Sequence, residues 1–286
     1  MKKSISMFVL LIGLSALMLT GCAGTDSGQE VEGKNRLEQI IERGYIEVAT
    51  EPYFAPYEFI DPSKEGNEQY VGSDIEFAQY IADELDVELR IVPLEFAAVL
   101  SSITEGKYDL AISALSYTPA RAEAMNMSKG YYYPKDAAGH GLLIRKADSD
   151  SIMGPNDIAD RVIVAQSGSL QELFVNEQVP EYKEFKRVSA TTDGFLMVQE
   201  NKADVCVASI PMAQLYIDAN PDAELMVVPG FEFTMDEETS GTRIGIAKGE
   251  DELTERLNEI IDEVKESGVF DEWHTKYTEY AKTLGL

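Results

Sequence analysis

The residues best placed to do chemistry in this chain would hold an anion. In Ser113-Ala114-Leu115-Ser116-Tyr117-Thr118-Pro119-Ala120-Arg121 an apolar strand ends at Leu115, Thr118 is spaced to cap a helix, and Pro119 suits that helix's first turn. A helix that opens at the carboxyl end of a strand presents unpaired N–H groups where open α/β sheets bind ligands. Arg121 falls in the first turn, where a cation opposes the helix dipole unless an anion joins it. A guanidinium fork beside backbone N–H groups suits a carboxylate. By position alone, Arg121 is equally a solvated surface arginine. A second turn has the same character. Gln166-Ser167-Gly168-Ser169 leads into Leu170-Gln171-Glu172-Leu173-Phe174, and a glycine flanked by hydroxyls lets backbone amides approach an anion closely. Either turn alone is commonplace; two facing one cleft would make a carboxylate site.

Other chemistries lack their residues. The only histidines are His140 and His274, the second in the Trp273–Tyr280 helix and expected far from the cleft. No metal-ligand spacing, nucleophile elbow or phosphate loop is present, so no catalytic residue, metal or cofactor is expected. Cys206, within Val205-Cys206-Val207-Ala208, reads as a small hydrophobe in a buried strand. A formal net charge of −27 argues against nucleic acid and anionic lipid as partners.

The elements that must position these residues follow from periodicity. Short β-branched runs are expected as strands at Tyr45–Ala49, Glu88–Leu94, Leu110–Leu115, Gly141–Lys146, Arg161–Gln166, Val205–Ile210, Leu225–Pro229 and Arg243–Lys248. Amphipathic helices lie between them. Ser73 and Glu76 are spaced as a capping box ahead of Ile75, Ala78, Ile81, Ala82 and Leu85. Val99, Leu100 and Ile103 precede a stop at Gly106, and Leu253, Leu257, Ile260, Ile261 and Val264 precede a stop at Gly268. Alternation of this kind implies an α/β fold with largely parallel sheets. A weak internal echo favours two similar lobes: Glu105-Gly106-Lys107-Tyr108-Asp109 and Glu200-Asn201-Lys202-Ala203-Asp204 each run from a helix end into a buried strand.

The N-terminus carries an address. Lys2 and Lys3 precede the uncharged run Ile5–Leu19, which has the length of a signal-peptide core rather than a membrane span. Leu19-Thr20-Gly21-Cys22 resembles the lipobox of bacterial lipoproteins, which implies residues 1–21 as leader and an acylated Cys22 as anchor. The polar stretch that follows makes residues 22–36 a flexible tether.

From about residue 37 onward the chain resembles the family 3 solute-binding proteins, the polar amino-acid receptors of ABC importers, with the type II periplasmic-binding-protein fold. The likeness rests on Thr50-Glu51-Pro52-Tyr53-Phe54-Ala55-Pro56-Tyr57-Glu58-Phe59, Val71-Gly72-Ser73-Asp74-Ile75-Glu76 and Glu105-Gly106-Lys107-Tyr108-Asp109, then on Thr118-Pro119-Ala120-Arg121 and Gln166-Ser167-Gly168-Ser169. Ile244-Gly245-Ile246-Ala247-Lys248-Gly249 and Ser267-Gly268-Val269-Phe270-Asp271 complete it. It implies two lobes, each a mostly parallel sheet flanked by helices, joined by a two-segment hinge. Residues 37–138 and 242–286 would form lobe 1, and residues 139–241 lobe 2. It implies that Arg121 grips a ligand carboxylate, with the Ser116 amide and the Gly168, Ser169 and Leu170 helix start. Phe54 and Phe96 would flank the ligand side chain, Ser113 and Ala114 would meet its ammonium or side chain, and Glu51 would touch a cationic side chain or sit at the rim. The implied partners are an amino-acid-like solute, an ABC permease and its ATPase. The receptor would be a monomer held outside the cytoplasm by its lipid alone. The alternatives are a ligand-sensing module without transport, or an enzyme like the dehydratases and lytic transglycosylases that share the fold.

Three departures narrow that expectation. Ser209, in Ala208-Ser209-Ile210-Pro211, stands where the family usually has the aspartate that binds the α-ammonium. A neutral hydroxyl cannot neutralise a buried ammonium, so another acid must serve or the ligand lacks an ordinary free amine. Leu170 replaces a frequent threonine, leaving only its amide. The approach to the lobe crossing, Tyr131–His140, is longer than usual, with His140 placed as a hinge or core histidine or facing the cleft.

Overall fold

The computed structural model describes residues 34–133 and 139–286; the leader, Cys22, most of the tether and part of the long hinge approach lie outside them. Strand β1 (Tyr45–Thr50) pairs in parallel with β5 (Glu88–Pro93) on one side and β6 (Leu110–Leu115) on the other. The chain then leaves, and β13 (Arg243–Ile246) returns antiparallel to β6, followed outward by β7 (Asn126–Met127). The second sheet repeats the scheme. Strand β9 (Val162–Gln166) lies between parallel neighbours β10 (Glu184–Val188) and β11 (Val205–Ser209), and β8 (His140–Arg145) and β12 (Leu225–Val227) extend the sheet antiparallel. A small antiparallel sheet of β2 (Tyr53–Phe54), β3 (Glu58–Ile60) and β4 (Tyr70–Val71) hangs on the first lobe.

Both large sheets are covered on two faces, which is why their strands read as unbroken apolar runs. Val48 and Ile112 enter one core with helix α2 (Ser73–Glu84) and helix α8 (Asp251–Ser267), while Ala49 and Leu115 enter another with helix α3 (Phe96–Thr104). In the second lobe Ile163 and Val205 face helix α5 (Leu170–Gln178), and Val164 and Cys206 face helix α6 (Thr191–Gln199). Cys206 is fully buried, as expected, and burial pushes its thiol up. A Cβ on Gly194 of α6 would lie 2.8 Å from the Cys206 sulfur, so glycine is what lets α6 approach β11.

The internal echo has a structural cause. Gly106 and Asn201 both take left-handed backbone, φ 65° and 58°, and Lys107 and Lys202 donate back to Ser102 and Met197, each at 2.8 Å. The echoed aspartates then do the same job twice. Asp109 accepts from the Glu47 amide at 2.7 Å and Asp204 from the Val162 amide at 2.9 Å, each stitching the third strand's start to the first strand. Arg36 and Arg43 neutralise Asp109, and Arg145 neutralises Asp204 at 2.9 Å.

Four local expectations are revised. Ser73 is not a cap: Gly72, φ 137°, holds that position and Ser73 is the first helical residue, so the Ser73–Glu76 box does not form. A capping box forms instead at Asn35 and Glu38, and helix α1 (Arg36–Arg43) reaches into the stretch read as tether. Strand β10 escapes the periodicity reading because it is an edge strand carrying Glu184, Lys186 and Arg187. The strands of the small sheet are too short to show a period. Among the described residues no helix is long and apolar enough to cross a membrane.

Candidate functional site

The strand ends and helix starts of both lobes meet at a cleft of about 830 Å³. Of the residues singled out above, Glu51, Phe54, Phe96, Ser113, Ala114, Ser116, Arg121, Ser169, Leu170 and Ser209 line it. Gly168 lines a separate groove beside α3 and helix α4 (Pro119–Ala124), and reaches the cleft only through its carbonyl.

Arg121 is no solvated arginine. Thr118 caps α4 through a 3.2 Å bond from the Arg121 amide, and the side chain turns inward, 8% exposed. Its guanidinium donates to the Ser116 carbonyl at 2.7 Å and, across the cleft, to the Gly168 carbonyl at 3.0 Å, with the Phe96 ring 5.5 Å away. The group of Ser116 that Arg121 engages is therefore the carbonyl; the expectation for Ser116 concerned its amide. Burial lowers the Arg121 pKa to about 10, so the group stays cationic at neutral pH. It has no ion-pair partner among the described residues, which is the condition of a cation awaiting an anion.

The end of β6 is strained to shape this corner. Ala114 has φ 47°, left-handed backbone that costs an alanine about 1–2 kcal/mol. Its N–H is held by the Asp74 carboxylate at 2.8 Å. The turn places the Ser113 hydroxyl between the Glu51 amide, from which it accepts at 3.0 Å, and Glu58, to which it donates at 2.9 Å. Of the Ser113 groups expected to meet the ligand, the carbonyl and the hydroxyl, the hydroxyl gives its hydrogen to Glu58.

A buried carboxyl cluster therefore underlies the cleft. Glu51 is 2% exposed with one oxygen unpartnered. Burial raises its pKa to about 8, against a lowering bond from Gln166 at the end of β9 and with a further push from Asp193. Burial, then the charges of Asp74 and Glu51, drive Glu58 well above the carboxylate range. Asp74 rises to about 6 through burial, offset by the Ala114 amide and the Tyr131 hydroxyl at 2.9 Å. Sequence reasoning did not single out Glu58, Asp74 or Gln166. The signal for Glu58 was an acid set between two aromatics in an otherwise strand-like run.

Phe54 and Phe96 flank the cleft from different elements. Phe96 opens α3 and packs with Val99 and Leu115, while Phe54 stacks on Tyr57 at 5.8 Å. On the second lobe, Ser169 caps α5, accepting from the Glu172 amide at 3.1 Å and donating to the Gln166 carbonyl at 2.7 Å. The Gly168 amide donates to Glu172 at 2.8 Å and the Ser169 amide to Gln166 at 3.3 Å. Of the three amides expected to face the ligand, only that of Leu170 is left without such a partner among the described residues.

Ser209 ends β11 directly opposite His140 and leads into helix α7 (Ile210–Ala219). His140 faces the cleft, its Nδ1 3.0 Å from Gln171, and burial lowers its pKa to about 4, so it is neutral. The larger revision is His274. It was placed far from the cleft, yet it lines the cleft from helix α9 (Val269–Leu284). Its Nδ1 lies 3.2 Å from the Ser73 hydroxyl, and its ring packs 4.7 Å from Tyr57 and 4.6 Å from Tyr132. Burial lowers it to about 4 as well. Asp271, His274, Thr275 and Thr278 share one face of α9, a spacing that would have revealed a second polar stripe on that helix. Among the described residues no group of His, Cys, Asp and Glu could hold a metal ion.

The chain is similar to proteins already known. The sequence model of the bacterial extracellular solute-binding proteins, family 3, matches residues 46–280. An arginine-binding extracellular protein of Bacillus subtilis is 28% identical, covering 97% of this chain and 98% of its own length. A probable histidine-binding protein of Campylobacter jejuni is 27% identical over 97% of this chain and 99% of its own. The crystal structure of an amino acid ABC transporter substrate-binding protein of Streptococcus pneumoniae, bound to L-arginine, superposes with a TM-score of 0.76 at 30% identity, covering 86% of this chain and 98% of that one.

Proposed function

Because the chain belongs to the bacterial extracellular solute-binding proteins of family 3 and captures an amino-acid-like solute for an ABC importer, we propose that this solute presents a carboxylate to Arg121 and a cationic side chain to Glu51. The carrying observation is a buried guanidinium with no counter-ion among the described residues, in the same cleft as a buried carboxyl with an unpartnered oxygen. Phe54 and Phe96 flank the space between them, where aromatic faces favour a cation or its aliphatic stem. The arginine- and histidine-binding relatives support a basic side chain.

In this reading the solute meets Arg121, Phe54, Phe96, Ser113 and Ala114 on a first lobe of residues 37–138 and 242–286. The second lobe, residues 139–241, then swings over with Gly168–Leu170 and Ser209. The Arg121 bond to the Gly168 carbonyl marks the contact that a bound carboxylate would share across the lobes. Closure is a population shift driven by a ligand that touches both lobes. The closed form engages a permease and its ATPase, with a lipid on Cys22 holding the receptor at the membrane. No turnover is involved: the cleft binds and releases.

A thermal-shift screen across common amino acids, di-acids, and opine-, betaine- and acyl-amino-acid compounds identifies the solute, with compounds of basic side chain expected to stabilise most. Calorimetry on that compound then compares Arg121→Ala with the wild type. More than tenfold loss of affinity is expected, about 1.4 kcal/mol or more. Unchanged affinity in Arg121→Ala would overturn the clamp, and equal stabilisation by neutral side chains would overturn the role of Glu51.

A further inference from the structure

The nitrogen end of the ligand is where the cleft departs from a simple amino-acid site. Every described residue that lines the cleft from the second lobe is neutral. Ser209 is flanked there by His140, which burial keeps uncharged, and by Gln171. On the first lobe the acids that line the cleft besides Glu51 are Glu58 and Asp271, and both have partners of their own, Asp271 on α9 beside His274. Glu58 accepts from the Ser113 hydroxyl, and behind it Asp74 accepts from Ala114 and Tyr131. If Glu51 balances the side chain and Arg121 the carboxylate, a free ammonium on the α-carbon would be a buried charge without a counter-ion, the costliest arrangement available. A neutral amide N–H, by contrast, is the natural donor to a neutral hydroxyl such as Ser209.

The cleft also has room beyond Ser209. Helices α7 and α9 come together in the same region: Leu215 of α7 shares a core cluster with Tyr277 and Ala281 of α9, and both helices line the cleft, through Pro211, Met212, His274 and Thr278. An unbroken aromatic strip runs there from the ligand pocket, Phe54 to Tyr57 at 5.8 Å, Tyr57 to His274 at 4.7 Å, and His274 to Tyr132 at 4.6 Å. A volume of about 830 Å³ lies toward the upper end of the roughly 300–1,000 Å³ of ligand clefts and exceeds what one amino acid fills.

We propose that the solute is an amino acid acylated on its α-nitrogen, an N-acyl amino acid or a dipeptide, whose amide N–H meets Ser209 and whose acyl group lies along the Phe54–Tyr57–His274–Tyr132 strip. The proposal rests on the roles given above to Arg121 and Glu51, and the matched pairs test it with and without a cationic side chain. Calorimetry on the purified protein compares matched pairs: L-arginine, Nα-acetyl-L-arginine and glycyl-L-arginine, then L-leucine and Nα-acetyl-L-leucine. The acylated member is expected to bind at least tenfold tighter within each side chain. The acetyl and glycyl compounds separate the two sources, since only the dipeptide brings an ammonium to the strip. A free amino acid that binds as tightly as its acylated partner overturns the proposal, as does failure of every acylated compound to bind. An acyl preference in the leucine pair equal to that in the arginine pair, at equal affinity, overturns the basic side chain while this inference stands. Ser209→Asp adds the missing carboxylate and is expected to reverse the preference, with free arginine gaining at least tenfold over its acetyl form. An unchanged preference in Ser209→Asp would remove Ser209 from the nitrogen's surroundings.

Discussion

A cation that binds at Glu51 must first displace that carboxyl's proton, and the burial of the site sets how strongly this depends on pH. Desolvation, partly offset by Gln166 and reinforced by Asp193, raises Glu51 to about 8. A ligand cation beside the carboxylate favours its ionised form and pulls the pKa back down. Binding below pH 8 therefore releases a proton, and affinity must rise with pH. With a pKa of about 8, roughly one site in a hundred is ionised at pH 6 and about half at pH 8. Affinity for a basic ligand should therefore rise about 50-fold between those limits, or about 2.3 kcal/mol, and level off above. Titration calorimetry at pH 6, 7 and 8, in two buffers of different ionisation enthalpy, reads both the slope and the proton released. Glu51→Gln should flatten both. His140 and His274, each at about 4, are neutral throughout this window, while Asp74, at about 6, titrates within it and stays in the variant as an internal control. Flat affinity in the wild type, or a slope that survives in Glu51→Gln, would refute the reasoning. The same raised pKa makes folding less favourable as pH climbs from the unfolded value near 4.5 toward 8, because the unfolded chain ionises first. The melting temperature of Glu51→Gln should thus gain on the wild type across that range.

Two structural predictions test the frame around the cleft. Asp109→Ala removes a buried acid that stitches β6 to β1 and neutralises Arg36 and Arg43, and should cost roughly 3 kcal/mol in urea unfolding; a loss under about 1 kcal/mol would show the pair to be incidental. Ala114→Val puts a β-branched side chain at φ 47° and should destabilise by about 1 kcal/mol or more, read as a lowered melting temperature, with ligand affinity falling too because Ser113 and Glu58 hang on the same turn.

Much of the frame was legible in the residue order because it rests on local physics. Thr118-Pro119 and Ser169 start helices by capping their own backbone, Gly268 ends one by taking left-handed backbone, and buried strands announce themselves as apolar runs. The echo around Asp109 and Asp204 was visible because each lobe needs the same helix-to-strand turn and the same strand-start anchor. Ser73 misled because a capping pattern states only local spacing; the close packing of Gly72 against the Tyr57 backbone, where a Cβ would lie 2.0 Å from an oxygen, settled that helix start differently.

What the tertiary structure alone decided is the charge state of the cleft. Glu51, Glu58 and Asp74 are ordinary acids in a very acidic chain until the fold withdraws them from water, where ionisation becomes costly. His274, remote in sequence, enters the cleft because α9 packs across the small sheet through Tyr277 and Phe59. The sequence by itself determined that Arg121 falls in a helix's first turn just past a strand end and that position 209 carries a neutral hydroxyl. Only the assembled lobes decided that no other described residue on that wall supplies a charge, because electrostatic neutrality is a property of everything that surrounds a point in space and not of any stretch of chain.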